Sequence, residues 1–130
     1  MNNNGTDRDV ALSIVNLITE ISTLVSTINS NLFVPAIVTQ PTNQEVALSG
    51  TCSFTVVAVN VAAYQWQRKT SGASWGNTSL SGNKTDTLTF TTSAEAYTST
   101  FRCKITGKDG SIIYTDEVQV VLPETPDAEG

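Results

Sequence analysis

The apolar residues of this chain change period once, and that change divides it. They first fall at Val10, Ala11, Ile14, Leu17, Ile18, Ile21, Leu24, Val25, Ile28 and Leu32. Spacings of three and four are those of one helix face. Neither Gly nor Pro interrupts the stretch from Thr6 to Leu32, and Pro35 follows it. The residue before a proline is driven to extended geometry, so the helix should stop there. Beyond Pro35 apolar and polar residues alternate in short runs, as in half-buried strands. The expected organisation is an N-terminal anchor and oligomerising helix over 1–33, a mainly β domain over 34–122, and an acidic tail over 123–130.

Thr6 followed by Asp9 resembles a capping box, and Asp7 and Asp9 suit the positive end of a helix. A helix from Thr6 to Leu32 makes a rod roughly 40 Å long. Two heptad frames fit it. One sets Ile14, Ile21 and Ile28 at a, with Val10, Leu17 and Leu24 at d. The other sets Ala11, Ile18, Val25 and Leu32 at a, with the same three Ile at d. Together they form a stripe too broad for a two-stranded seam. β-Branched residues at both seam positions favour three or more strands. The remaining face is Ser, Thr and Asn with one charge, Glu20, so the charged pairs of a two-stranded zipper are missing. The expectation is a coiled-coil homo-oligomer, a trimer, held by Ile14, Leu17, Ile18, Ile21, Leu24, Val25, Ile28 and Leu32. The competing expectation is a helix folded back on the following domain.

The runs after Pro35 are Ala36–Gln40, Val46–Leu48, Thr51–Ala58, Ala63–Lys69, Thr87–Thr91, Ser99–Thr106 and Ile112–Val121. Turn residues separate them at Gln40-Pro41-Thr42-Asn43, Thr70-Ser71-Gly72, Ser81-Gly82-Asn83 and Lys108-Asp109-Gly110. Short strands at such intervals indicate a sandwich or barrel. Alternation sets Cys52, Phe54 and Val56 on one face of their strand. It does the same for Tyr64 with Trp66, Leu88 with Phe90, and Phe101 with Cys103 and Ile105.

Cys52, Trp66 and Cys103 have the order and separation of an immunoglobulin-like (Ig-like) domain, in which a Trp packs against a pair of Cys between two sheets. The string QPTNQEVALSGTCSFTVVA resembles the start of Ig-like modules in bacterial surface proteins and tailed-phage structural proteins. AYQWQRKTSGASWGNTSLSGNKTDTLTF, with Trp75, resembles their middle. YTSTFRCKIT followed by DGSIIYTDEVQV resembles their last hairpin. Coverage is residues 34–122. The antibody pattern has Tyr two residues before the second Cys, where this chain has Phe101. The corner hydroxyl bond is therefore missing, or Tyr97 supplies it. The resemblance makes Cys52 and Cys103 a disulfide candidate. Such a bond would close a loop of about 50 residues and stabilise by about 4 kcal/mol in the chain-entropy model. The redox state stays open, because a cytosolic product keeps its thiols reduced.

Chemistry has little to work with. The chain has no His, so the commonest acid-base group and metal ligand is absent. Two Cys are too few for a zinc cage, and no nucleophile-base pair is identifiable. No enzyme activity, cofactor or metal is expected. Asp86, Glu95, Asp109, Asp116 and Glu117 are acids of the β domain; Asp109-Gly110 reads as a turn, and Asp116 and Glu117 as opposite-facing. Asn77-Thr78-Ser79 and Asn83-Lys84-Thr85 match the glycosylation pattern by chance. The net charge of −5 disfavours nucleic acid as a partner. Polar interruptions every two or three residues argue against membrane insertion of the apolar stretch. MNNNGTDRDV has no basic stretch leading into an apolar one, so a secretory signal is not expected. Trp75, Tyr97 and Tyr114 are candidate exposed aromatics for stacking on sugars.

In tailed phages, modules of this kind occur on capsid decoration proteins and head fibres, and adhere weakly to cell or mucus surfaces. The resemblance therefore implies a virion structural protein made in the host cytoplasm. Met1, Asn2, Asn3, Asn4 and Gly5 would be a flexible anchor on a phage capsid protein, and surface glycans the displayed ligand. The alternative is a carbohydrate-binding or adhesin Ig-like module of a bacterial surface protein.

Overall fold

The computed structural model describes residues 4–124, with the backbone alone at 4–7 and 29–31. The chain divides into two compact units, Met1–Phe33 and Val34–Gly130.

The first unit is one helix, α1, Asn4–Leu32. Asn4 and Gly5, expected in a flexible anchor, are its first residues. The first turn of a helix supplies only carbonyls to its ladder, so poor helix formers cost little there. Met1, Asn2 and Asn3 of the expected anchor lie outside the described residues, as does the Thr6 side chain of the expected capping box. Taken by itself, α1 leaves its described apolar side chains between 47% and 59% exposed. Thr19 Oγ1 donates to Val15 O at 3.1 Å and Thr27 Oγ1 to Thr23 O at 3.0 Å, so these hydroxyls are satisfied by the helix's own backbone. Its polar interruptions argue for a segment unsuited to a bilayer. By length and composition, however, Arg8–Ile28, 21 residues with a mean hydropathy of 1.6, is apolar enough to cross one.

The second unit is mainly β. Its strands are β1 (Ala36–Thr39), β2 (Gln44–Glu45), β3 (Thr51–Thr55), β4 (Val57–Val59), β5 (Val61–Thr70), β6 (Gly76–Asn77), β7 (Thr87–Thr91), β8 (Ser99–Gly107), β9 (Ile112–Tyr114) and β10 (Val120–Val121), with a 3₁₀ turn at Ala94–Thr98. In one layer β4 pairs with β1 and β3 with β7, all antiparallel. The other layer runs β6-β5-β8-β9. β10 continues it beyond a bulge and pairs in parallel with β2. The first strand is thus shared between layers: β1 joins one, and β2 the other, after the Gln40–Asn43 turn.

The core lies between the layers. Cys52, Phe54, Val56, Leu88 and Phe90 meet Trp66, Phe101, Cys103, Ile105, Val118 and Val120, all buried. The alternation read from the sequence therefore selects the correct face of each strand. Cys103 is the register partner of Trp66, and Phe54 lies against Trp66 with ring centroids 6.3 Å apart. Two facing sheets that bury one Trp and a Cys from each sheet in a shared core is the arrangement of an Ig-like sandwich.

Three expected strands differ in detail. Thr51–Ala58 is cut at Val56, because its halves pair with different strands. The expected strand at Val46–Leu48 is displaced to β2, where Gln44 N and Val46 N donate to Gln119 O and Val121 O, and Ser49, at φ 72°, turns the chain away. Ile112–Val121 is interrupted by a bulge. Thr115 N donates to Cys103 O and Val118 N to Phe101 O, so three residues span a distance that two span on β8. Thr115 Oγ1 accepts from Cys103 N at 2.8 Å there.

Candidate functional site

On β8, Phe101, Cys103 and Ile105 point inward, so Thr100, Arg102, Lys104 and Thr106 face out. On β5, buried Trp66 sets Gln65, Gln67 and Lys69 outward in the same way. β9 adds Tyr114, opposite Lys104, and β6 adds Asn77, opposite Gln67. The outer face of this sheet is therefore amide, hydroxyl, cation and aromatic.

Arg102 organises it. Its guanidinium carbon lies 4.2 Å from the Trp75 ring centroid and 4.1 Å from that of Tyr114. Such contacts are worth about 0.5–1 kcal/mol each where exposed. Arg102 Nε also donates to Gln67 Oε1 at 2.9 Å, and Gln67 Nε2 donates to Asn77 Oδ1 at 3.1 Å. Lys69 Nζ sits 5.8 Å from the Trp75 centroid. Among the described residues the one ion pair is Arg68–Glu95, at 3.2 Å. Lys69, Arg102 and Lys104 thus have no carboxylate partner among them.

A polar cleft of about 710 Å³ opens at the β6 edge of the same sheet. Gln65, Asn77, Thr78, Ser79, Gly82, Asn83, Lys84 and Thr85 line it. Two bonds to Trp66 hold its floor: Trp66 N donates to Asn83 O at 2.7 Å and Trp66 Nε1 to Thr85 O at 2.8 Å. Gly82 turns the wall with φ 77°, and a Cβ there would collide with Thr87 O.

Ile14, Leu17, Ile18, Ile21, Leu24, Val25, Ile28 and Leu32 all lie on α1 and are exposed. Cys52 and Cys103 are fully buried free thiols. Burial pushes them up to about 11 and about 12 respectively, so both are neutral and unreactive at neutral pH. Trp75 and Tyr114 reach the outer face, half-buried and exposed respectively. Tyr97 does not join them: it is half-buried, and its hydroxyl donates to Val46 O at 2.7 Å, which answers the question left by Phe101. Asp109 Oδ1 accepts from Ser111 Oγ and Ser111 N, which hold its carboxyl below the usual range. Asp116 and Glu117 occupy the bulge, and Asp116 N donates to Gln40 Oε1. Among the described residues no three His, Cys, Asp or Glu converge as metal ligands do.

Sequence reading missed Arg102, Gln67 and Lys69. Alternation from Cys103 and Trp66 places all three outward; the approach of Trp75, which comes from a turn, leaves no periodic signal.

Neither a protein-family profile nor a curated protein matches the chain. Solved structures do match, among them a mutant complex of titin M10 with an obscurin-like 1 Ig domain. It is 14% identical, and the match covers 71% of this chain and 95% of that one, with a TM-score of 0.46. The Ig-like assignment rests on the strand order and register of the molecule itself.

Proposed function

We propose that this chain is a display protein, whose helix gathers copies and whose Ig-like sandwich serves as a binding or adhesion module. The observation that carries the reading is the apolar stripe of α1, ten residues from Val10 to Leu32 that a lone helix has no means of burying. Burying such a stripe between helices is favourable by about 25 cal/mol per Å², and its seam residues suit a trimer. Linked copies of a weakly binding sandwich then act together through effective concentration.

On this reading the protein is a tailed-phage virion component, a capsid decoration or head-fibre protein. Its N-terminal end docks on a capsid protein, and the sandwich adheres weakly to glycans on cell or mucus surfaces. The support for the virion role is the resemblance of residues 34–122 to phage Ig-like modules. Sedimentation equilibrium on the full chain should return a trimer, reduced to monomer by Ile21→Asp with Leu24→Asp. Co-purification with phage particles should give a fixed copy number. A monomeric wild type, or a protein never found on particles, overturns the respective half.

One observation favours a second reading. The length and hydropathy of Arg8–Ile28 suit a membrane tether for an adhesin module of a bacterial surface protein. Flotation of the full chain with phosphatidylcholine vesicles separates the two. A trimeric virion protein stays at the bottom of the gradient, and a tethered one rises.

A further inference from the structure

The outer face of β6-β5-β8-β9 carries a charge opposite to that of the chain. The chain as a whole is −5; this face holds Lys69, Arg102 and Lys104 with no carboxylate pairing them among the described residues. Two aromatic rings, Trp75 and Tyr114, lie against the central cation. The Arg102–Gln67–Asn77 chain of hydrogen bonds runs from that stack to the cleft. There the lining groups that bond no protein partner are the Ser79 hydroxyl, the amide oxygens of Gln65 and Asn83 and the amide nitrogen of Asn77, with Lys84 a further cation.

We propose that this face binds an acidic polysaccharide, a sugar chain bearing carboxylates, with the cations meeting its charges and the cleft its hydroxyls. The inference rests on the reading of the sandwich as a binding module and names its ligand class. Three features choose this occupant. Unpaired cations call for an anion. A cleft lined by neutral amides and hydroxyls calls for a ligand rich in hydroxyls, which an acidic peptide lacks. Rings whose faces are already stacked on Arg102 are poorly placed to stack on bases, as single-stranded nucleic acid requires.

The test is affinity electrophoresis of the full chain in gels containing alginate, neutral dextran, polyglutamate or poly(dT). Alginate should retard the protein, less so as salt is raised, and the other three should not. Lys69→Gln with Lys104→Gln, two exposed-face changes distant from the core, should weaken alginate retardation roughly tenfold with an unchanged melting temperature. Ser79→Ala, at an exposed hydroxyl of the cleft, should weaken it as well, while a matched change on the opposite layer, Thr89→Ala, should not. Equal retardation by polyglutamate, poly(dT) or dextran overturns the proposal. So does an alginate effect insensitive to the Lys pair, or no retardation at all. Sedimentation of the same samples keeps the two claims apart. Lost binding in an intact trimer refutes the face alone, and a monomer that still binds alginate refutes only the multivalent display.

Discussion

The Tyr97 hydroxyl donates a 2.7 Å hydrogen bond to the Val46 carbonyl, 51 residues earlier in the chain. It ties the Ala94–Thr98 turn, which links the two layers, to the segment leaving β2. Val46 N is itself bonded to Val121 O at 3.0 Å. One phenol thus fixes the point at which the first strand, the last strand and the crossing turn meet. Tyr97→Phe keeps the ring and removes the bond. It should cost about 1–1.5 kcal/mol in urea denaturation, with an unchanged m-value.

Gly82 should tolerate no side chain. Its φ of 77° is left-handed, and an added Cβ would meet Thr87 O. Gly82→Ala must therefore move the wall that carries Asn83 and Thr85, the two carbonyl acceptors of Trp66. A loss of about 2 kcal/mol or more is expected from combined strain and steric conflict, with a red-shift of Trp fluorescence as the indole loosens.

The parts of this fold that were legible share one property: they repeat locally. Trp66, Phe101 and Cys103 announce their inward direction through neighbours two residues away. The stripe of α1 does so through neighbours three and four away. What was not legible depends on distant chain. β2 forms where the carbonyls of Gln119 and Val121 meet it, so of Val46–Leu48, the more strand-like string, Val46 alone keeps a bond to the last strand. The bulge at Asp116 and Glu117 is set by the Thr115 hydroxyl taking the bond from Cys103 N. Arg102 reads as an ordinary exposed cation until Trp75 and Tyr114 close on it from two other segments.

The two thiols should be inert in the folded protein. At about pH 8, raising a thiol from 9.0 to about 11 cuts its thiolate fraction about 100-fold, and burial removes access as well. Ellman's reagent should therefore register both Cys52 and Cys103 only after unfolding in guanidinium. A native chain that titrates two thiols within seconds contradicts their burial.

The same shifts predict an alkaline limb. Both thiols hold their protons to higher pH when folded, so the native state binds more protons than the unfolded one between about 9 and about 12. Stability contributed by the neutral thiols is complete below the unfolded value and falls as pH rises through that window. Cys52→Ala with Cys103→Ala lowers stability at neutral pH by opening space in the core, yet should flatten the slope of the urea midpoint against pH above about 9. An identical slope in the double variant would remove the thiols as its cause.

A polar residue in the stripe of α1 separates oligomerisation from folding. Ile21 lies at a seam position in both heptad frames and is 52% exposed on the helix itself. Ile21→Asn therefore leaves the helix's own backbone bonds in place and changes no residue of the core between the sheets. In a trimer it buries three amides in one layer, at a cost of about 1–3 kcal/mol for each one left unpaired. The expected outcome is a lower midpoint for helix loss at 222 nm, steeply dependent on protein concentration. The transition of the sandwich, followed by Trp fluorescence, should stay where it is. If the two transitions move together, α1 and the sandwich form one cooperative unit, and the apolar stripe is buried by its own chain.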